Sequence, residues 1–138
     1  MTVYLDSSVL VRRLRKETAP LPTWGTWDVA YASVLARVEI FRFIDRTRLH
    51  RRIDDDEVSQ MIRDAQGLLD GIALVPLHGA ILNRASQSFL TRLGTLDALH
   101  LATALWLVDN VGTISTFLTH DAQLALAARS VSLMVEGA

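Results

Sequence analysis

Residues 2–14, TVYLDSSVLVRRL, set the pattern from which the fold class is predicted. Residues 2–5 are a short β-prone run that ends at Asp6, and residues 7–14 carry apolar side chains at helical spacing. The stretch therefore predicts a strand, a tight turn and a helix in direct succession.

The same alternation continues to the end of the chain. Residues 16–27, with Pro20, Pro22 and Gly25, are typical of a loop. Further strands are predicted at residues 29–31, 72–77, 114–119 and 131–135, and further helices at residues 33–48, 54–70, 78–93, 96–110 and 121–129.

Local motifs mark the predicted helix ends. Asp54 with Glu57 three residues later resembles a capping box, and Gly71 is expected to end the helix that they begin. Ser33 and Thr95 are the predicted N-caps of the helices that follow them.

Alternating strands and helices with short connections predict an α/β fold. The run at residues 72–75, IALV, lacks polar alternation and favours a mainly parallel sheet of four to five strands, covered by helices on both faces in three α/β/α layers. A chain of 138 residues fits one domain, residues 1–138. Ligands of such sheets bind outside the carboxyl ends of the strands, where Asp6 and Asp121 are expected.

Composition excludes several classes of protein. Half the residues are hydrophobic and 21% are charged, which favours a folded chain. No apolar run approaches the roughly 18 residues of a membrane span, and no signal-peptide core is present, so we expect a soluble, cytoplasmic protein. There is no cysteine, so a metal would have to be held by oxygen or imidazole.

The net charge of −1 hides an asymmetry along the sequence. Residues 1–52 carry ten basic and five acidic side chains, whereas residues 53–138 carry four and ten. All but one of the fourteen basic residues are arginine, which grips phosphate in two places, although genomic base composition also enriches arginine. The candidate phosphate contacts are Arg12, Arg13, Arg15, Arg42 and Arg46.

Four acids are candidate site residues, and each has a structural alternative. Asp6 and Asp121 stand where a helix N-cap is common, and Asp97 stands in the first turn of a helix, where the dipole favours an acid. Glu39 lies mid-helix among apolar neighbours. It is either buried with a partner or on a solvated edge where arginines of the same helix, Arg42 and Arg46, neutralise it.

Together the four acids indicate more than each does alone. Clustered carboxylates raise one another's pKa and persist mainly where a cation binds them. Oxygen ligands suit Mg²⁺ or Mn²⁺, which can activate water against a phosphodiester. His100 follows Asp97 on the same helix face and is more typical of a core or edge residue than of a ligand. Spacing alone does not bring residues 39 and 97 together.

Four blocks of the sequence resemble those of the PIN-domain nucleases, and within them the VapC-like toxins of bacterial toxin–antitoxin pairs. The blocks are YLDSSVL (4–10), SVLARVE (33–39), LDALHLATA (96–104) and FLTHD (117–121). They occur in the family's order and span nearly the whole chain. The resemblance puts the family's acids at Asp6, Glu39, Asp97 and Asp121.

The resemblance implies a fold in which these acids converge at the end of the sheet around one or two divalent ions. It also implies RNA cleavage, a homodimer, and inhibition by a cognate antitoxin. Asp6 and Asp97 are then expected to hold the principal ion, with Glu39 orienting or deprotonating a water. The fourth acid varies in position across the family, so Ser7 or Thr119 is a further candidate to support the metal beside Asp121.

Two other functional classes are possible for this sequence, and its apolar residues predict a partner surface. A PIN-like scaffold that binds RNA or protein without cutting is disfavoured because all four acids are present. A phosphoacceptor fold with Asp6 as nucleophile lacks its second acid, since Ser8 stands there. The apolar excess predicts an exposed partner surface, although aromatic residues at helical spacing are by default core; these residues are Trp24, Trp27, Phe41, Phe43 and Trp106.

Overall fold

The computed structural model describes residues 1–16 and 19–138. The strands are β1 (Thr2–Leu5), β2 (Val29–Ser33), β3 (Ala73–Val75), β4 (Thr116–Leu118) and β5 (Val135–Glu136). The helices are α1 (Ser7–Arg15), α2 (Leu35–Arg51), α3 (Asp55–Asp70), α4 (Gly79–Ala85), α5 (Thr95–Asn110) and α6 (Ala122–Ser130).

The five strands form one sheet in the order β3-β2-β1-β4-β5, and every neighbouring pair is parallel. This confirms the predicted α/β class. After β1 the chain builds outward through β2 and β3, and it then returns to place β4 on the other side of β1. The strand order therefore reverses between β1 and β4, which is where sheets of this kind form their ligand crevice.

Helices cover both faces of the sheet. Successive residues of β1 point to opposite faces. Val3 and Leu5 pack into one apolar cluster with α1, α2 and α3, and Tyr4 packs into a second cluster with α5 and α6. The three residues are fully buried, so the central strand is shared by two cores and the three-layer prediction is confirmed.

Several predicted boundaries are confirmed by local chemistry. Asp54 is the N-cap of α3, and its Oδ1 accepts the backbone N–H of Glu57 at 2.8 Å. The helix ends at Gly71 as expected. β1 spans the predicted residues, and α1 begins directly after Asp6. In the predicted loop at residues 16–27, Glu17 and Thr18 lie outside the described residues.

The predicted helix at residues 78–93 is wrong in its second half, because α4 ends at Ala85. The Ser86 hydroxyl donates back to the carbonyl of Leu82 at 2.8 Å, and Arg84 turns its guanidinium over the ring of Phe89 at 4.2 Å. Serine side chains that bond to nearby backbone compete with helix continuation. The chain therefore runs irregularly from residue 86 to residue 94.

Two predicted N-caps are also wrong. Thr95 is the first helical residue of α5 and Gly94 occupies the cap position, without a side-chain hydrogen bond. Ser33 is the last residue of β2, and Val34 is the N-cap of α2, although the Ser33 hydroxyl still accepts the N–H of Leu35 at 3.2 Å. A strand can extend one residue into a sequence that would also cap a helix, because the sheet ladder competes for the same residue.

Four strands differ in length or place from the predictions. The strand predicted at residues 131–135 is β5 at Val135–Glu136, because the N–H of Leu133 still bonds to Ala128 in the turn that ends α6. β3 and β4 are shorter than predicted, and β2 is longer. No helix among the described residues is long and apolar enough to cross a membrane.

Core packing, the default expectation for the five aromatic residues, is confirmed, and the exposed partner surface stays a prediction. Phe43 is buried, and the other four are partly buried against the two cores; they are Trp24, Trp27, Phe41 and Trp106. The tryptophan pair packs edge to face at 5.1 Å. The most exposed large apolar side chains are aliphatic, Leu90 at 79% and Met134 at 71%.

Candidate active site

Asp6 and Asp121 lie at the carboxyl ends of the adjacent strands β1 and β4. Asp6 is 3% exposed and is the N-cap of α1. Its Oδ2 accepts the hydroxyls of Ser8 at 2.7 Å and Thr119 at 2.9 Å. Asp121 caps α6 in the same way, with Oδ1 accepting the N–H of Leu124 at 2.8 Å.

Thr119 connects these two acids. Its hydroxyl donates to Asp6 and accepts the backbone N–H of Asp121 at 3.0 Å. The Thr119 side chain is fully buried. One hydroxyl therefore links the two strand ends, and the expected support of a metal by Thr119 stays a prediction.

Glu39 reaches this sheet end from α2. Its Oε2 accepts the hydroxyl of Ser7 at 3.0 Å, and its Oε1 lies 2.7 Å from Nε2 of His100 on α5. The same Nε2 lies 3.6 Å from Oδ1 of Asp6. Glu39 is thus a half-buried acid with partners, and Arg42, offered as a neutralising neighbour, pairs with Asp45 at 3.1 Å instead.

The environment lowers the pKa of Glu39. Burial alone would raise this pKa, but the hydrogen bonds from His100 and Ser7 and the charges of His100 and Arg46 outweigh burial. The pKa of His100 is raised, because its hydrogen bond to Glu39 and the charge of Asp6 outweigh the effect of burial. The two groups therefore stabilise each other's charged forms.

Asp97 lies in the first turn of α5 and has the opposite electrostatics. Its pKa is raised to about 6, first by burial and then by the charges of Asp121, Asp6 and Glu39. No hydrogen bond offsets this effect within the part of the chain that the structure describes. The charges of the other three predicted acids therefore reach Asp97, and with burial they destabilise its anionic form.

The donor set fits a hard divalent cation in its chemistry. Within residues 1–16 and 19–138, no three acidic or histidine side chains are already arranged to hold an ion. Carboxylate oxygens that accept no hydrogen bond from the described residues are nevertheless present on Asp6 (Oδ1), Asp97 and Asp121 (Oδ2). Carboxylate oxygen is the ligand that Mg²⁺ and Mn²⁺ prefer, and a bound cation would relieve the repulsion at Asp97.

The five candidate arginines lie at different distances from these acids. Arg12 Nη1 lies 3.1 Å from Nδ1 of His120, the neighbour of Asp121, and the charge of Arg46 acts on Glu39. Arg13 lies over the ring of Trp24 and Arg15 over that of Phe43. Arg12 and Arg46 therefore lie at the rim of the acids, and Arg13 and Arg15 pack their guanidinium groups on aromatic rings.

His100 and Tyr4 belong to the site's surroundings, and sequence reasoning missed their connection. His100 is 1% exposed and contacts Glu39, while its Nδ1 lies 2.9 Å from the Tyr4 hydroxyl. The available signal was the position of His100 one helical turn after Asp97. Nothing in the local sequence indicates that Tyr4, 96 residues earlier, is its partner.

Comparisons with known proteins identify the family of this chain. The sequence matches the family described as PIN domain over residues 3–129. The chain belongs to the PIN-domain family. This PIN domain is 31% identical over 139 residues to Ribonuclease VapC47 of Mycobacterium tuberculosis (strain CDC 1551 / Oshkosh), covering 96% of this chain and 93% of that protein.

Solved structures share the fold of this PIN domain at low sequence identity. FitAcB from Neisseria gonorrhoeae matches with a TM-score of 0.70 and 18% identity, over 98% of this chain and 96% of that one. VapBC2 from Rickettsia felis, bound to a promoter DNA fragment, has a TM-score of 0.66 and 12% identity over 99% and 98% of the two chains. VapBC-5 from Mycobacterium tuberculosis has a TM-score of 0.62 and 16% identity over 98% and 95%.

Proposed function

We propose that this protein is a divalent-metal-dependent ribonuclease that hydrolyses phosphodiester bonds of RNA. The observation that carries the proposal is the convergence of four acids at the switch point of a parallel sheet, where burial and the charges of the other three raise the pKa of Asp97 to about 6. A relative of nearly equal length is named a ribonuclease. Such repulsion lowers the stability of the fold unless a bound cation neutralises it, and acids with perturbed pKa values are typical of functional sites.

The proposed site residues divide by their hydrogen bonds. The free oxygens of Asp6, Asp97 and Asp121 would hold Mg²⁺ or Mn²⁺, with Asp6 and Asp97 as its principal ligands. A cation bound there would supply charge stabilisation for the phosphodiester and increase the acidity of a water.

Glu39 has a different role in the proposed mechanism. Both of its oxygens are held by the protein, and its lowered pKa keeps it ionised, so it can orient a water and, where a cation has made that water more acidic, accept its proton. The water oxygen bonds to phosphorus, the bond from phosphorus to the ribose oxygen breaks, and the leaving oxygen takes a proton from solvent.

Substitution of single acids tests the proposal. Asp6→Asn and Asp97→Asn should each abolish metal-dependent cleavage of RNA while the thermal melt still shows a folded protein. Asp109→Asn is the matched control, because Asp109 is an exposed acid at the other end of α5. Undiminished cleavage by either site variant would remove the mechanism at these acids, whereas a wild type that cleaves no RNA would favour a non-catalytic binding module.

Metal dependence is tested separately by titrating Mn²⁺ into metal-free protein in a calorimeter. Wild type should bind Mn²⁺, and Asp97→Asn should lose most of the heat, because one of the oxygen ligands becomes an amide. Equal binding by the two proteins would show that Asp97 is not a ligand of the ion.

We propose that RNA phosphates are bound by Arg12, Arg13, Arg15, Arg42 and Arg46. Arg12 and Arg46 lie at the rim of the acids, which supports their assignment. Binding of RNA to the Asp97→Asn protein should weaken as salt rises, and the slope should flatten by about 0.7 for each lost phosphate contact to a single strand. Arg129→Ala is the control, since Arg129 lies in the last turn of α6 and bonds to the carbonyl of Ala138.

We further propose that the protein is a homodimeric toxin, neutralised in the cytoplasm by a cognate antitoxin. Support comes from a structural relative described as a member of the VapBC family of toxin–antitoxin systems. Expression of wild type should arrest bacterial growth, whereas Asp97→Asn should not, and co-expression of an adjacent small reading frame should restore growth. Light scattering measures the oligomer. Growth that continues under wild-type expression would contradict the toxin proposal without affecting the nuclease proposal.

A further inference from the structure

A chain of buried hydrogen bonds runs beneath the four acids. The backbone N–H of Ser33 donates to the Tyr4 hydroxyl at 3.2 Å, this hydroxyl lies 2.9 Å from Nδ1 of His100, and Nε2 of His100 lies 2.7 Å from Glu39. Tyr4 and His100 are 0% and 1% exposed. The proposed mechanism assigns no role to either residue.

Packing does not account for these polar groups. Tyr4 stacks on Phe117 at 5.0 Å within an apolar cluster, where a phenylalanine would provide the same contact without a hydroxyl to satisfy. A buried imidazole likewise requires a partner for each nitrogen. The partners that His100 has are Tyr4 on one side and Glu39 on the other.

The directions of the bonds fix which nitrogen faces Glu39 as a donor. The Tyr4 oxygen accepts from Ser33, which leaves its own proton free for Nδ1 of a neutral His100. The ring proton then lies on Nε2 and points to Oε1 of Glu39. A doubly protonated ring would also present N–H at Nε2, so the donor toward Glu39 is the same in both states.

We propose that His100, oriented by the Tyr4 hydroxyl, is a positioning residue that fixes the carboxylate of Glu39 beside Asp6 for proton transfer. Nε2 joins the two acids, at 2.7 Å from Glu39 and 3.6 Å from Asp6. Ser7 holds the other oxygen of Glu39, so the carboxylate cannot rotate freely. The proposal rests on the proposed nuclease function.

Two amide substitutions separate positioning from a structural role. In His100→Gln the terminal amide can reach the place of Nε2 and donate to Glu39, whereas in His100→Asn the shorter amide reaches only the place of Nδ1. His100→Asn should lower kcat about 10–100-fold with little change in KM, as is typical when the partner of a reacting group is lost. His100→Gln should keep most of the wild-type kcat. If the two variants melt at the same temperature, the difference in kcat does not come from stability.

Tyr4→Phe extends the test to the other end of the chain of bonds. It should lower kcat less than His100→Asn, because the ring keeps its contact with Glu39 but loses the bond that orients it. Tyr31→Phe is the matched control, since Tyr31 pairs with Tyr4 in the neighbouring strand and takes no part in this chain of bonds. A loss of kcat that follows melting temperature across all four variants would overturn the proposal.

A metal-free measurement distinguishes this proposal from the nuclease proposal. In a two-bond ¹H–¹⁵N spectrum without metal or RNA, the Nε2 resonance of His100 should be that of a protonated nitrogen, and Glu39→Gln should shift it. If the resonance does not shift, the positioning role of His100 is overturned and the nuclease proposal is unaffected. The same holds if wild type is active and His100→Gln loses as much kcat as His100→Asn. A wild type that cleaves no RNA overturns the proposed function and, with it, the role of His100.

Discussion

The two strand–helix junctions that carry Asp6 and Asp121 differ from the two helical positions that carry Glu39 and Asp97. At the junctions, each carboxylate caps the helix that follows it, and Thr119 connects the two. On the helices, Glu39 depends on a histidine 61 residues away, and Asp97 has no hydrogen bond in the described chain to offset its charge.

One acidic site therefore contains groups with opposite effects on stability. A capping carboxylate stabilises its helix whether or not a cation is bound. Asp97 is repelled by its neighbours, so as an anion it destabilises the metal-free fold. The two capping acids therefore stabilise the metal-free fold, and the destabilising repulsion acts on Asp97 at the start of α5.

The largest expected effect is on cleavage. Asp6→Ala and Asp97→Ala should each reduce cleavage by at least about 100-fold, because each loses a carboxylate that would hold the cation against the phosphodiester. Their effects on metal-free stability should be opposite at pH 8. Asp6→Ala removes a cap and leaves the Thr119 hydroxyl without its acceptor, whereas Asp97→Ala removes repulsion. Denaturant unfolding measures this, and two shifts of the same sign would break the comparison.

The second effect concerns the backbone behind the β4–α6 junction. Gly137 has φ of +109°, and a Cβ there would lie 2.4 Å from the Thr119 carbonyl oxygen. Gly137→Ala should destabilise the protein by about 2 kcal/mol, or displace the last residues from the junction. Gly25→Ala is the control, because Gly25 has φ of +79° with no atom within 4 Å of the added carbon. Equal melting temperatures for the two variants would contradict the close contact.

A smaller effect separates the two functions of Asp121. Asp121→Asn keeps an N-cap acceptor for Leu124, so the free energy of unfolding should change little while cleavage falls. Asp121→Ala should lose cleavage and also about 1 kcal/mol of stability. If Asp121→Asn cleaves RNA like wild type, Asp121 serves only as a cap.

The smallest expected effect is a pH dependence, because Asp97 is only half-buried and solvent screens its charge. Its pKa in the folded protein is about 6 against an ordinary 3.8, so the folded state holds this proton more tightly than the unfolded state. Stability of metal-free protein should therefore fall as pH rises from about 4 to about 6. The melting temperature of Asp97→Asn should exceed that of wild type above pH 7, and the difference should vanish near pH 4.

The parts of the fold that sequence predicted correctly depend on neighbouring residues. The Asp54 cap, the end of α3 at Gly71 and the strand before Asp6 each follow from contacts within a few residues. The failures, at residues 86–94 and at Thr95, occur where a side chain bonds back to the chain or where the fold leaves a cap without a side-chain bond.

Sequence alone therefore determined the four candidate acids and the positions of Asp6 and Asp121 before helices, because capping and turn chemistry act over three or four residues. It also identified the family, since four motifs in order are specific.

Only the tertiary structure decided that α2 and α5 bring Glu39 to His100, and that β1 places Tyr4 behind that histidine. These contacts join residues 61 and 96 positions apart. The strand order that forms them is set by packing of both sheet faces and not by local preference.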